Sequence, residues 1–257
     1  MNFTAELERA APILVVAAHP DDEVIGIGGH LASLCEPVIV HLTDGAPRSI
    51  PDRESYAATR SQELARALAL AGIGENRACV LGAVDQESSF ALVELTVALE
   101  KLIAEFHPAV VVTHPYEGGH PDHDAAAFIV AAAVRRHRQK TLVIEFTSYH
   151  NRTPEAALPE LEVGTFLANS PGPVDLRILS PEARERKRRL FDCFESQQHM
   201  LVQFPVNIER FRVSPAYDFG APPHSGMLFY EDKNWGLTGE EWRRLARQAL
   251  HDLKLRT

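Results

Sequence analysis

The 257-residue chain predicts an α/β fold, a Rossmann-like and mostly parallel sheet flanked by helices, followed by a loop-rich C-terminal elaboration. Three observations predict it. Short apolar runs alternate with helical patterns through the first 150 residues, which is the repeated βα unit of a parallel sheet with right-handed crossovers. The runs are continuous in apolar residues rather than alternating, as strands buried on both faces require. Two of them lead directly into dense polar clusters, and the carboxyl ends of parallel strands are where open α/β sheets place ligands.

The elements follow in order. Ile13–Ala18 reads as the first strand, and Val24–Leu34 as the helix after it. Pro37–Leu42 is the second strand. The polar loop Ala46–Glu54, with Pro47 and Pro51, belongs on the edge of the sheet that carries both clusters and forms a rim there. Tyr56–Ala71 is helical, Ala78–Leu81 a strand, Ala91–Phe106 a helix, Ala109–Thr113 a strand, Asp124–Arg138 a helix and Leu142–Phe146 a strand. Beyond Tyr149 the pattern weakens. Asn151–Pro173 is rich in proline and glycine and holds irregular strands. Pro181–His199 reads as one helix, with Ser180 as cap and Pro181 in the first turn, where its missing N–H costs nothing. Asn207–Gly236 reads as loop-rich. Thr238-Gly-Glu-Glu241 has the pattern of a capping box, and a last helix runs from it to Leu253. The chain is therefore expected to form one domain over 1–257, with 1–150 as the core and 151–257 shaping a cleft.

The first cluster is His19-Pro-Asp21-Asp22-Glu23. Three carboxylates this close repel one another unless a cation neutralises them, and imidazole with carboxylate suits zinc. The second is His114-Pro-Tyr-Glu-Gly-Gly-His120-Pro-Asp122-His123-Asp124. If both strands are central, His19 and one of the two aspartates meet His120 or His123 across a cleft. A catalytic zinc site takes three protein ligands and leaves a position open for water. Residue types and spacing do not choose between Asp21 and Asp22.

Bulk properties narrow the function further. There are 35 acidic against 26 basic residues, a formal net charge of −9. That argues against a nucleic-acid partner, whose affinity would come from basic contacts to phosphate. The basic run Arg184–Arg189 reads as a solvated helix face. The three cysteines, Cys35, Cys79 and Cys193, are dispersed and odd in number. They read as buried small hydrophobes in a reducing compartment rather than as a zinc knuckle or redox pair. Met1–Ala11 lacks the charged-then-apolar pattern of a signal peptide, and no apolar run reaches the ~18 residues of a membrane span. A cytoplasmic protein with no membrane span is expected, with a small-molecule partner and room for a homo-oligomer. A nucleotide-binding reading fits poorly. Gly26-x-Gly28-Gly29 is not the full Gly-x-Gly-x-x-Gly, and acids precede it where a pyrophosphate would need positive potential.

The paired motifs His-Pro-Asp-Asp-Glu and His-Pro-Asp-His resemble those of the PIG-L/LmbE-like zinc deacetylases. Thr43-Asp44-Gly45, Arg60-Ser-Gln-Glu63-Leu64, Gly72-Ile73, and Lys187-Arg188 with Ser196-Gln197 extend the resemblance over roughly Ile13 to Gln197. It implies a Zn2+ cofactor held by His19, Asp22 and His123. Asp21 becomes the general base, and His120, protonated, the group that stabilises the oxyanion. Asp122 would orient the His120 ring, and Arg60 would contact substrate. Glu23 takes a supporting role rather than a ligand's. The chain departs from some relatives at Gly118, where they place a tyrosine, and at Gly119, where the bacillithiol branch places a basic residue. The implied reaction is removal of an N-acyl group, most simply acetyl, from an amino sugar. An amide of a non-sugar compound on the same scaffold is the alternative. His224 is the one further histidine that reads as a late cleft residue.

Overall fold

A computed structural model describes residues 11–137, 140–152, 160–168 and 172–255. The sheet has seven strands in the order β3-β2-β1-β4-β5-β9-β8. β1 (Ile13–Ala17), β2 (Pro37–Pro47), β3 (Ala78–Asp85), β4 (Val110–Thr113) and β5 (Leu142–Phe146) are parallel. β9 (Ile208–Val213) runs antiparallel between β5 and the edge strand β8 (Asp175–Ile178). β6 (Tyr149–Asn151) and β7 (Leu161–Val163) form a separate hairpin.

The continuous apolar strands are buried on both faces because side chains alternate between them. Leu14, Val16, Val38 and Val40 pack with Leu99 and Ile103 of α3 (Leu92–Phe106), Phe128 of α4 (Pro121–His137) and Trp242 of α8 (Gly239–Asp252). Ile13, Val15, Ile39 and Val112 face the other way. They meet Val24 of α1 (Asp22–Ile27), Leu64 of α2 (Arg53–Leu70) and Leu190 of α5 (Pro181–Asp192). The short helices α6 (Gln198–Leu201) and α7 (Phe229–Asp232) complete the set. Among the described residues no helix is long and apolar enough to cross a membrane.

Strand order reverses between β1 and β4, so the loops after these two strands flank the crevice at the switch point. Both sequence clusters sit there. The caps also form: Ser180 accepts from the Ala183 N–H, and Thr238 and Glu241 make the capping box.

Several expectations are corrected. The helix over Val24–Leu34 ends at Ile27 and resumes only as a 3-10 turn at Leu31–Ser33. The Gly29 N–H donates instead to Glu209 of β9, 2.8 Å away. The helix over Pro181–His199 stops at Asp192, and a 3-10 turn follows at Glu195–Gln197. Here the Ser196 N–H and hydroxyl are both recruited by Glu63, each at 2.7 Å. Asn207–Gly236 contains β9, an internal strand of the main sheet. Its charged residues concealed it: Glu209 and Arg212 are 2% and 1% exposed, paired with Lys187 at 2.8 Å and Glu145 at 2.7 Å.

For the same reason the basic run is not wholly solvated, since Lys187 is fully buried. None of the three cysteines is buried as expected: Cys35, in the turn that leads into β2, is exposed, and Cys79 and Cys193 are half-buried. The expectations for Met1–Ala10, for Arg138, and for 153–159 and 169–171 in the proline-rich stretch lie outside the described residues.

Candidate metal centre

β1 is locked into the sheet, and the chain turns sharply once it ends. The turn is closed by Asp22 N donating to His19 O, and α1 begins with Val24 and Ile25 N–H groups donating to Asp21 O. Thr43, from the predicted Thr-Asp-Gly, donates through both its N–H and its hydroxyl to Ala18 O. Gly45 then takes a left-handed φ of 67°. A Cβ there would lie 3.0 Å from both Arg60 Nε and Pro20 Cδ, so only glycine lets β2 pass this close.

His19 sits at the centre. Its Nδ1 is 3.1 Å from Asp22 Oδ2, and its Nε2 is 3.2 Å from Asp122 Oδ2 and 3.1 Å from Asp85 Oδ1. Asp22 reaches across to His123, with 3.3 Å between Oδ1 and Nε2. The predicted ligands are thus in contact through the two oxygens of Asp22. Among the described residues, three groupings bring donor atoms within 4.8 Å of one another: His19, His120 and His123; His19, Asp85, His120 and Asp122; and Asp22, His114 and His123. No single grouping contains all three predicted ligands.

Hydrogen bonding separates these donors. The Ala18 N–H donates to His114 Nε2 at 3.2 Å, which occupies that lone pair. The Asp122 N–H donates to His120 Nδ1 at 3.1 Å, so neutral His120 carries its proton on Nε2. The Asp122 carboxylate, expected to orient His120, is 3.9 Å from that ring. It accepts instead from the Gln86 and Ser88 N–H groups, at 2.6 and 2.9 Å, and faces His19. The backbone of Asp122 holds His120, and its side chain holds His19. Burial, with His19 and His123 nearby, pushes the His120 pKa well below its usual value. That direction favours the neutral ring, whose Nε2–H is a donor, over the expected imidazolium form.

Asp21 occupies a strained backbone position, with φ 129° and ψ −27°. Burial pushes its carboxyl up to about 7, against the opposing pull of Arg60. Arg60 Nη2 is 3.0 Å from Asp21 Oδ2 and also donates to Pro20 O. At 2% exposure, Arg60 is first a clamp on Asp21. Glu63 pairs with it at 3.4 Å and binds Ser196 from the distant Ser-Gln motif.

The cleft over these groups holds about 360 Å3. Pro47 and Ile50 of the predicted rim line it, with Tyr149, Gln197, His199 and Trp235. Asp85, Tyr149, His199 and Trp235 were not anticipated. Only Asp85 had a visible signal, a carboxylate at the carboxyl end of a parallel strand. Tyr116 is a core residue, stacked on Trp242 and donating to Ala221 O. His224 lines a different cavity of about 640 Å3, together with His150, Phe166 and Tyr217.

Residues 14–134, which include both clusters, match the family model PIG-L, GlcNAc-PI de-N-acetylase. The chain is 30% identical over 164 residues to a protein of Bacillus subtilis (strain 168) named as a probable N-acetyl-alpha-D-glucosaminyl L-malate deacetylase 2. That match covers 59% of this chain and 73% of the relative. It is 32% identical over 161 residues to the 1D-myo-inositol 2-acetamido-2-deoxy-alpha-D-glucopyranoside deacetylase of Tsukamurella paurometabola, covering 48% and 54%. Among solved structures, the zinc-inhibited form of teicoplanin deacetylase superposes with a TM-score of 0.56 at 18% identity, over 80% of this chain and 99% of that one. A 4-carboxy-2-hydroxymuconate hydratase from Pseudomonas putida superposes comparably, at 0.54 and 14% identity over 80% and 97%. The fold alone therefore does not fix the reaction.

Proposed function

For a chain that belongs to the PIG-L family, we propose a zinc-dependent hydrolase that removes an N-acyl group, most simply acetyl, from a small amino-sugar conjugate. The observation that carries this reading is the contact of His19, Asp22 and His123 at the switch point, beside a buried and clamped Asp21.

The donor types suit the metal, imidazole nitrogen with carboxylate oxygen. His19 Nδ1 and His123 Nε2 lie 3.1 and 3.3 Å from different oxygens of Asp22, so the carboxylate that would bridge them to an ion stands between the two rings. Hydrogen bonding favours His19 and His123 over His114 and His120 as ligands. His19 Nε2 has Asp122 as its acceptor, which leaves Nδ1 free toward Asp22, the arrangement ligating histidines usually adopt. The outer nitrogen of His123 is 3.4 Å from the Ser148 hydroxyl. His114 and His120 have each committed a nitrogen to a backbone N–H. When bound, the ion would polarise the amide carbonyl and lower the pKa of a water toward ~7.

The chain's own groups supply the rest. Asp21 takes the proton of the attacking water and returns it to the departing amine. Arg60 keeps that carboxylate aimed at the cleft. The His120 Nε2–H donates to the oxygen on which charge develops. Pro47, Ile50 and the residues after Tyr149 close around the sugar and its substituent.

Amine release from a panel of N-acetylglucosamine conjugates tests the reading, with chelator-stripped protein as control. Metal-dependent release is expected. Zinc-dependent cleavage of other amides, with every sugar untouched, would remove the sugar from the proposal and keep the hydrolase.

A further inference from the structure

We infer that Glu23 and His41 are positioning residues that hold the backbone of Asp21 in its working conformation; this rests on the reading of Asp21 as the base. A side-chain-bearing residue at φ 129° is costly, on the order of 1–3 kcal/mol, and persists only where its surroundings impose it. The Asp21 N–H is where they do so. It donates to Glu23 Oε2 at 3.0 Å. The same oxygen accepts from His41 Nε2 at 2.9 Å. His41 is fixed in turn by the sheet, where it pairs in register with Ala17, two residues before His19.

Neither residue is placed to do chemistry itself. Both are 0% exposed. Neither lines the cleft, and neither belongs to a metal-holding grouping among the described residues. Nor does the pair look selected for stability. Glu23 Oε1 and His41 Nδ1 are buried without hydrogen-bond partners, and such groups are expensive to leave unmet. An apolar pair of similar size would commonly be neutral or stabilising at such a place. What the pair does is fix one peptide group. Asp21 is thereby held at two points, its N–H by Glu23 and its carboxylate by Arg60. Without the first hold the residue can relax to negative φ, and the carboxylate swings away from the cleft.

The test compares the parent with Glu23→Gln and with the double variant Glu23→Met/His41→Leu. Glutamine keeps an acceptor for the Asp21 N–H and should retain most of the parent rate. The double variant should melt at or above the parent temperature and bind the same amount of zinc. Its kcat should fall ~10²-fold at unchanged KM, as expected for a displaced catalytic group. Crystal structures of parent and double variant read the positioning without reference to activity: φ of Asp21 should be positive in the first and negative in the second. A positive φ kept in the double variant overturns the inference, as does parental kcat or parallel loss of zinc. A parent that hydrolyses no amide counts against the proposed function, and the φ comparison still decides this one.

Discussion

The larger of these two cavities is not the one that gathers the titratable groups. The cavity of about 640 Å3 is lined by Phe166, Tyr217 and several prolines; its histidines and Tyr116 are held by backbone, while Tyr217 donates to Glu145 and Arg152 pairs with Glu162. His150 is 3.0 Å from Asn151 O, His224 2.6 Å from Ser225 O, and Tyr116 donates to Ala221 O. In the cleft of about 360 Å3 the titratable groups have mainly one another as partners: His19 with Asp22, Asp85 and Asp122, and His123 with Asp22. Imidazoles satisfied by backbone build a wall. Buried side chains that satisfy one another are poised to exchange protons or to share a cation. Volume is the poorer guide to where function resides.

That contrast can be broken experimentally. The largest effect is expected from His19→Ala, which removes the residue on which the cleft contacts converge. Zinc binding and amine release should both drop to background, read by elemental analysis and by rate. A variant that keeps a full equivalent of metal would place the ion elsewhere. Asp21→Asn should lower kcat ~10²–10⁴-fold with metal retained. If zinc is lost as completely as in His19→Ala, the two aspartates exchange roles.

Under the larger cavity the signature should be stability instead of rate. Arg212 stacks on Phe166 at 4.0 Å and pairs with Glu145 and Glu117. Arg212→Met leaves those buried carboxylates without it and should cost about 3–5 kcal/mol in urea unfolding, while kcat of the folded fraction stays near the parent's. His224→Ala should be nearly silent, within about 0.5 kcal/mol. A large kcat loss there would mean that the larger cavity contacts substrate, and the contrast would fail.

Much of this was readable before any coordinates. The five parallel strands announce themselves because each is a continuous apolar run between turn signals. The two motifs stand out because acids and imidazoles rarely crowd so closely without a cation. Much of what escaped notice in the fold shares one physical cause. β9 escaped because Glu209 and Arg212 look like surface residues until Lys187 and Glu145 are seen to neutralise them. Lys187 was hidden among exposed basic neighbours. The break after Asp192 follows from Glu63 capturing Ser196, a contact spanning 133 residues. Asp122 shows the same limit at finer scale. Its place beside His120 in the chain suggested a partnership, but its carboxylate turns to His19. Local pattern identifies which residues gather at the crevice, and long-range polar pairing decides which atoms meet.

The Lys187–Glu209 pair has a consequence for anyone wishing to recombine this protein with a relative. Lys187 reaches both Glu209 Oε1 and Ile25 O at 2.8 Å, and Glu209 also receives the Gly29 N–H and lies 2.5 Å from His30. The helix that carries Asp22 is therefore finished by side chains more than 150 positions downstream. A chimera spliced near residue 150 would inherit every proposed zinc ligand and still receive α1 without its mooring, unless the donor supplies the lysine and the glutamate together. Supplying just one would be worse than supplying neither, because it leaves a lone charge in the interior. The two positions form an indivisible unit of inheritance, and a library of recombinants sorted by expression should reveal them as a linked pair.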